Sequence, residues 1–181
     1  MKLQTEQIQG YLAHGLRFIS ELDKPYEEFG KNTVHTLNGI EELFGDYCLL
    51  SKQLKDAYPV HVCKPILRKL DLTKSIKVDG VEILPLLELA KISIPKIQWE
   101  LKNYSSLNTT IAKSGDFSFS ISMWGDFSLT ENDGGSYDVL SVSNQRHLFK
   151  WLYANLFDVD NLIDKGLAID ADTLENNPYN N

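Results

Sequence analysis

The stretch DFSFSISMWGDFSLTENDGGSYDVLSV, residues 116–142, decides the fold. From Asp116 to Trp124, Phe117, Phe119, Ile121 and Met123 alternate strictly with Ser118, Ser120 and Ser122. Successive side chains of a strand point to opposite faces, so this pattern predicts one face in the core and one in water. Gly125-Asp126 makes a turn, Phe127 and Leu129 resume the alternation, Asp133-Gly134-Gly135 makes a second turn, and Tyr137 to Val142 supplies a third strand. Three strands joined by short turns predict an antiparallel meander. The tetrapeptide GDFS at Gly115 and again at Gly125 marks two similar strand entries.

Downstream, Ser143 or Asn144 is a cap for a helix from Gln145 to about Phe157. Leu148, Trp151, Leu152 and Leu156 form its stripe, widened by Phe149, Tyr153 and Phe157, which predicts a core helix laid on the meander's apolar face. Asp160 to Leu167 reads as a second short helix closed near Gly166, and residues 176–181 read as a flexible polar tail.

Upstream lies PVHVCKPILRKLDLTKSIKVDGVEILPLLELAK, residues 59–91. Val60, Val62 and Ile66 suggest a strand, in which Pro65 demands an edge, a bulge or the strand's end because proline cannot donate to the ladder. Val78-Asp79-Gly80 reads as a turn, Val81 and Ile83 as extended, and Pro85 as the first turn of an apolar helix carrying Leu86, Leu87, Leu89 and Ala90. Pro95 stops that helix, and Ile97, Trp99 and Leu101 alternate as another strand. Nearer the start, residues 3–12 read as one short helix with Ile8, Tyr11 and Leu12 on a face, ended by Gly15. Leu16 to Ser20 suits a strand, and residues 21–32 a surface connection. Thr33 to Leu37 followed by Asn38-Gly39 predicts a β-hairpin. Ile40 to Leu50, broken by Gly45-Asp46, fits a short strand and a short helix equally well. The sum is an α+β fold in which an antiparallel sheet, including the 117–142 meander, packs against two or three helices in one compact domain spanning 1–175.

A chain of 181 residues with 43% hydrophobic content can bury an ordinary core. Residues 1–16 carry one lysine and no apolar run of signal-peptide length, and nowhere do about eighteen apolar residues follow one another, so the reading is a cytoplasmic protein without membrane contact. Cys48 and Cys63 match no zinc or redox spacing and read as plain thiols in a reducing compartment. The formal charge of −7 is uneven. Residues 1–60 carry six basic against nine acidic side chains, residues 61–113 nine against five, and residues 114–181 three against eleven. A basic middle beside an acidic end marks either a nucleic-acid surface or parts of the chain that pair with each other. A sequence pI near 5.1 opposes the first.

Constellations with chemistry are sparse. His14, His35, His61 and His147 show no metal-site spacing. His61 and Cys63 stand two apart, which on a strand would put them on one face as a thiolate–imidazole pair, the basis of a hydrolase reading. Asp158-Val159-Asp160-Asn161 opens like a calcium loop, but Ile163 holds the sixth position and Ile169 the twelfth, which excludes an EF-hand. Glu131 to Gly135 is a turn by its residue chemistry. Phosphate-loop, dinucleotide and nucleophile-elbow signatures are missing. Catalytic residues, metal ligands and cofactors are therefore expected to be none. The one patch with a plausible ligand is Lys64, Arg68, Lys69, Lys74 and Lys77, a candidate anion or nucleic-acid contact that Arg146 and Lys150 would extend. No aromatic residue interleaves with it to stack on a base.

Three segments carry a resemblance: GYLAHGLRF at 10–18, KPILRKLDLTKSI at 64–76 and LIDKGLAIDADTL at 162–174. They resemble a group of short bacterial and prophage-type proteins with no activity assigned to the group, and they cover about a fifth of the chain. The middle segment departs from the group's PILRPLSDLT pattern by one missing residue and by Lys69 in place of a proline. The resemblance implies one family-wide domain from a mobile-element or prophage-type setting. Together with the sparse chemistry, it leads to a non-enzymatic accessory or protein-interaction protein that binds an unidentified protein or itself. Nucleic-acid binding through residues 64–77 and hydrolysis by Cys63 with His61 are the alternatives.

Overall fold

The computed structural model describes residues 2–20, 34–43, 46–53, 57–104, 109–121, 126–133, 136–140, 142 and 144–180. Its content is mixed α+β. In chain order the strands are β1 (Arg17–Ser20), β2 (Val34–Leu43), β3 (Asp46–Ser51), β4 (Ala57–Pro59), β5 (Cys63–Leu67), β6 (Ile76–Val78), β7 (Val81–Ile83), β8 (Glu100–Tyr104), β9 (Thr109–Ser114), β10 (Phe117–Ile121), β11 (Phe127–Asp133), β12 (Ser136–Leu140) and β13 (Ile169–Asp170). The α-helices are α1 (Pro85–Ser93) and α2 (Gln145–Ala154). Where length predicts one domain, the contacts divide the chain into two compact units. The first joins Met1–Leu70 to Leu152–Tyr179, and the second holds Asp71–Trp151 with Asn180–Asn181.

The first unit is built on a six-stranded sheet in the order β13-β5-β1-β2-β3-β4, antiparallel except for the parallel pair β13 and β5. Pro65 sits within β5 opposite Phe18, and pairing with β13 begins one residue later at Ile66. The missing proline N–H therefore falls where β5 has no neighbour on that side. Residues 60–62 form a 3-10 turn leading into β5, not the strand that Val60 and Val62 suggest. Strand β2 contains the Asn38-Gly39 pair in its interior. It pairs with β1 up to Thr36 and with β3 from Leu37 on, and a register shift between Leu37 and Gly39 marks the handover. The expected hairpin turn at Asn38-Gly39 is thus a bulge, and β2 continues antiparallel to β3 as far as the pair of Leu43 with Asp46. Between Ile40 and Leu50 the described residues, 40–43 and 46–50, are strand.

The core of this unit gathers Leu3, Ile8, Tyr11, Leu16, Phe18, Leu37, Leu49, Val60, Leu67 and Leu162. Residues 5–14 form two 3-10 helices, Thr5–Gln7 and Gln9–His14, where one α-helix is expected. Gly15 closes the second with φ 69°, a left-handed conformation that costs glycine little. Residues 160–167 are turns and not a helix. Asn161 at φ 56° breaks any helical path, and the Asp158 carboxylate takes the Leu162 and Ile163 N–H groups, each at 2.7 Å.

In the second unit β8 to β12 form a five-stranded sheet in sequence order, with antiparallel pairing throughout. Phe119 and Leu129 pair across β10 and β11 and are both buried. Met123, Trp124 and the Gly125 and Gly134-Gly135 turns lie outside the described residues. The alternation at Ile97 and Trp99 precedes β8 and does not join it, and β9 opens on the β-branched run Thr109-Thr110-Ile111. A separate two-residue hairpin joins β6 to β7 through Asp79 (φ 51°) and Gly80 (φ 78°). Positive φ at both central positions is the turn whose twist matches paired strands. Pro85 opens α1 at its first turn, and Leu86, Leu89 and Ala90 are its buried face. Helix α2 spans the division between the units and ends at Ala154, short of Phe157.

Candidate binding clefts

In the first unit the N-terminal 3-10 turn is held by the Gln4 N–H, which donates to Gln7 Oε1 at 2.9 Å. This sets Leu3 to Glu6 beside Asp46 and Tyr47 at the head of β3 and beside Val60 and His61, around a cleft of about 340 Å³. Leu3 and Val60 are buried, and Tyr47 stands 51% exposed. A second cleft of about 220 Å³ is lined by Lys2, His61, Val62, Cys63, Lys64 and Gly166 together with Leu3 and Leu167. Leu3 and His61 line both, but the charges differ. The first cleft carries Glu6 and Asp46, the second Lys2 and Lys64.

The five cations of the basic segment are divided between the two units. Lys64, Arg68 and Lys69 belong to the first unit, Lys74 and Lys77 to the second. Lys69, Lys74 and Lys77 are exposed, and Lys64 is half-buried on β5. Arg68 is 8% exposed. Its Nη2 donates to the Tyr179 carbonyl at 2.9 Å, and the guanidinium lies 5.4 Å from the Tyr179 ring centre. Burial lowers its pKa, opposed by the charge of Asp172 and by Tyr179. An arginine so placed stays cationic and is spent on tying the C-terminal segment to β5. Arg146 and His147 are exposed on α2, as is Lys150.

His61 and Cys63 part company. His61 is exposed in its 3-10 turn, whereas Cys63 is 3% exposed in the core with Sγ donating to the Pro59 carbonyl at 3.3 Å. The 3-10 turn, with three residues per turn, cancels the shared strand face on which the pair depends. Cys48 and Cys63 are buried and neither is in a disulfide, and burial, then Asp46, raises the Cys48 pKa. His35 is wholly buried, stacked on Phe18, with Nδ1 3.1 Å from Ser51 Oγ. Both members of that pair lie out of reach of solvent, so it satisfies the core.

The polar groups that sequence reasoning missed are those which close the unit. The Tyr11 hydroxyl donates to the Phe157 carbonyl at 2.8 Å and accepts from the Val159 N–H at 3.2 Å. The Tyr179 hydroxyl donates to the Ile66 carbonyl at 2.8 Å and accepts from the Arg17 N–H at 3.0 Å. Burial pushes both phenols well above the ordinary tyrosine value. Residues 176–180, read as a loose tail, are therefore anchored at Tyr179. Burial also raises the pKa of Asp158, against its two backbone donors, and of Asp160, where the Asp158 charge adds to it. Among the described residues no group of three or more His, Cys, Asp or Glu side chains is placed to hold a metal ion. Nor is any helix among them long and apolar enough to cross a membrane.

The segments at 10–18, 64–76 and 162–174 converge on adjacent strands: β1, β5 and β13 are neighbours in one sheet. No family model, curated protein or solved structure matches the chain.

Proposed function

We propose that this chain is a non-enzymatic protein-interaction protein, an accessory factor of the mobile-element type its three segments resemble, acting in a reducing cytoplasm. The observation that carries the reading is Tyr47, a half-exposed aromatic ring beside a cleft floored by Leu3 and Val60 and rimmed by Glu6, Asp46 and His61. An aromatic anchor over an apolar floor with a polar rim is the arrangement that concentrates binding energy at protein interfaces. The acidic rim suits a partner segment that places an apolar side chain in the cleft and a lysine or arginine next to it. The two buried cysteines, neither in a disulfide, support the compartment. The finer architecture belongs to the same proposal: the meander β8–β12 is covered by α1 and the first turns of α2. Supporting this are the edge-to-face contact of Phe127 with Phe149 at 5.3 Å and the approach of α1 to β9.

The test is affinity capture from the producing cell with wild-type, Tyr47→Ala and Asp46→Lys chains, followed by measurement of affinity for the captured protein. Tyr47→Ala should weaken binding roughly tenfold or more, as truncation of an interface anchor does. Asp46→Lys should weaken it as well, while Leu12→Ala, outside the cleft, leaves it unchanged. Equal affinity for all four chains, with circular dichroism showing each folded, overturns the reading.

A further inference from the structure

We propose that the second cleft, between the 3-10 turn Val60–Val62 and the turn at Gly166, binds a small phosphate-type dianion, inorganic phosphate or a phosphomonoester. Its polar lining is Lys2, His61 and Lys64, and no carboxylate stands among its lining residues. In a chain of net charge −7 such a local excess of cations is not explained by general solubility. Leu3, Val62 and Leu167 also belong to the lining, whose exposed surface is mainly polar. Lysine ammonium groups are standard point-charge partners of phosphate, and an imidazole N–H adds a directional donor. Lys64 need not be unengaged for this, since an ammonium carries three donors and can serve a neighbour and a ligand at once. Gly166 leaves the rim open: a Cβ there would meet nothing within 4 Å. Two lysines with a histidine favour a doubly charged tetrahedral group over a single carboxylate. The site shares Leu3 and His61 with the Tyr47 cleft, but its two lysines, Lys2 and Lys64, do not line that cleft.

Amide NMR of the full chain, titrated with sodium phosphate against sodium chloride at matched ionic strength, tests it. Saturable shifts confined to Val62, Lys64, Gly166, Leu167 and their neighbours are expected with phosphate and not with chloride. In Lys64→Gln, and separately in the exposed Lys2→Gln, the apparent affinity should fall roughly tenfold, the cost of one charge-assisted contact, with the remaining spectrum unchanged. Shifts that follow ionic strength whatever the anion, that scatter over the surface, or that persist in both variants overturn the proposal. So does binding of a single-stranded oligonucleotide without binding of phosphate.

Discussion

Tyr11 shows how much one atom organises. Its hydroxyl meets a carbonyl and an N–H from Phe157 and Val159, nearly the full length of the chain away in sequence, and its ring meets the edge of Tyr153 at 4.8 Å. Tyr11→Phe keeps the ring and removes both bonds, leaving a buried carbonyl and a part-buried N–H without that partner, at a cost of about 1–3 kcal/mol. Urea unfolding of the two chains measures it, and an unchanged midpoint would mean that water replaces the hydroxyl. The neighbouring Gly10 has a different reason to be small: a Cβ there would fall 2.7 Å from the Tyr153 ring. The sequence places Ile8, Tyr11 and Leu12 on one helical face, and two of the three are buried. Leu12 is 38% exposed because a 3-10 helix repeats every three residues, which aligns Ile8 with Tyr11 and turns Leu12 outward. The clefts were less legible still. Tyr47, Leu3 and His61 are far apart in sequence, and a pocket assembled from separate segments has no spacing to read.

At the level of elements, two Gly-containing dipeptides that look alike on paper behave oppositely. Asp79-Gly80 is a hairpin turn with positive φ at both residues, whereas Asn38-Gly39 lies inside β2, and Gly39 is not among the residues with positive φ. Gly80→Ala should destabilise by about 1–2 kcal/mol, the cost of forcing a left-handed conformation on a residue with a Cβ. Gly39→Ala should be neutral or stabilise by about 0.4–1 kcal/mol, because its Cβ would make an ordinary 3.8 Å contact with Leu50 and the unfolded chain loses freedom. Thermal unfolding of both variants decides it; a clear loss at Gly39 would restore the turn there. The end of α2 was hidden for a related reason. Leu156 occupies the left-handed position after the helix (φ 62°), with its N–H donating to the Tyr153 carbonyl and the Phe157 N–H donating to the Leu152 carbonyl. That is the bond pattern of a Schellman close, in which glycine is the usual signal. With leucine there, the apolar stripe runs on to Phe157 and the boundary leaves no mark. Strong local chemistry, Asp-Gly in a turn, Pro85 at a helix start and serines alternating with apolar residues, was readable. The partner exchange of β2 and the parallel addition of β13 depend on distant segments and were not.

For the whole molecule the decisive fact is that the first unit is discontinuous. The chain departs at Leu70 and returns at Leu152, and the two ends are joined by backbone bonds: the Arg68 N–H donates to the Leu156 carbonyl at 2.7 Å and the Asp158 N–H donates to the Arg68 carbonyl at 2.8 Å. A chain in which a short Gly-Ser linker replaces residues 71–151 should therefore fold, giving dispersed amide signals and a single cooperative urea transition. A collapsed spectrum without a transition would show that the first unit depends on the intervening residues. Length cannot register a chain that leaves a core and comes back to it. The same closure sets the order of events during translation. Strand β5 receives β13, and Arg68 receives Tyr179, only after residues 169–179 have been synthesised, whereas the 71–151 segment emerges whole before then. Because a nascent domain generally folds once its residues are available, the 71–151 segment should reach its native state before the first unit does, and strand β5 must wait with an uncovered edge until residues 169–170 arrive.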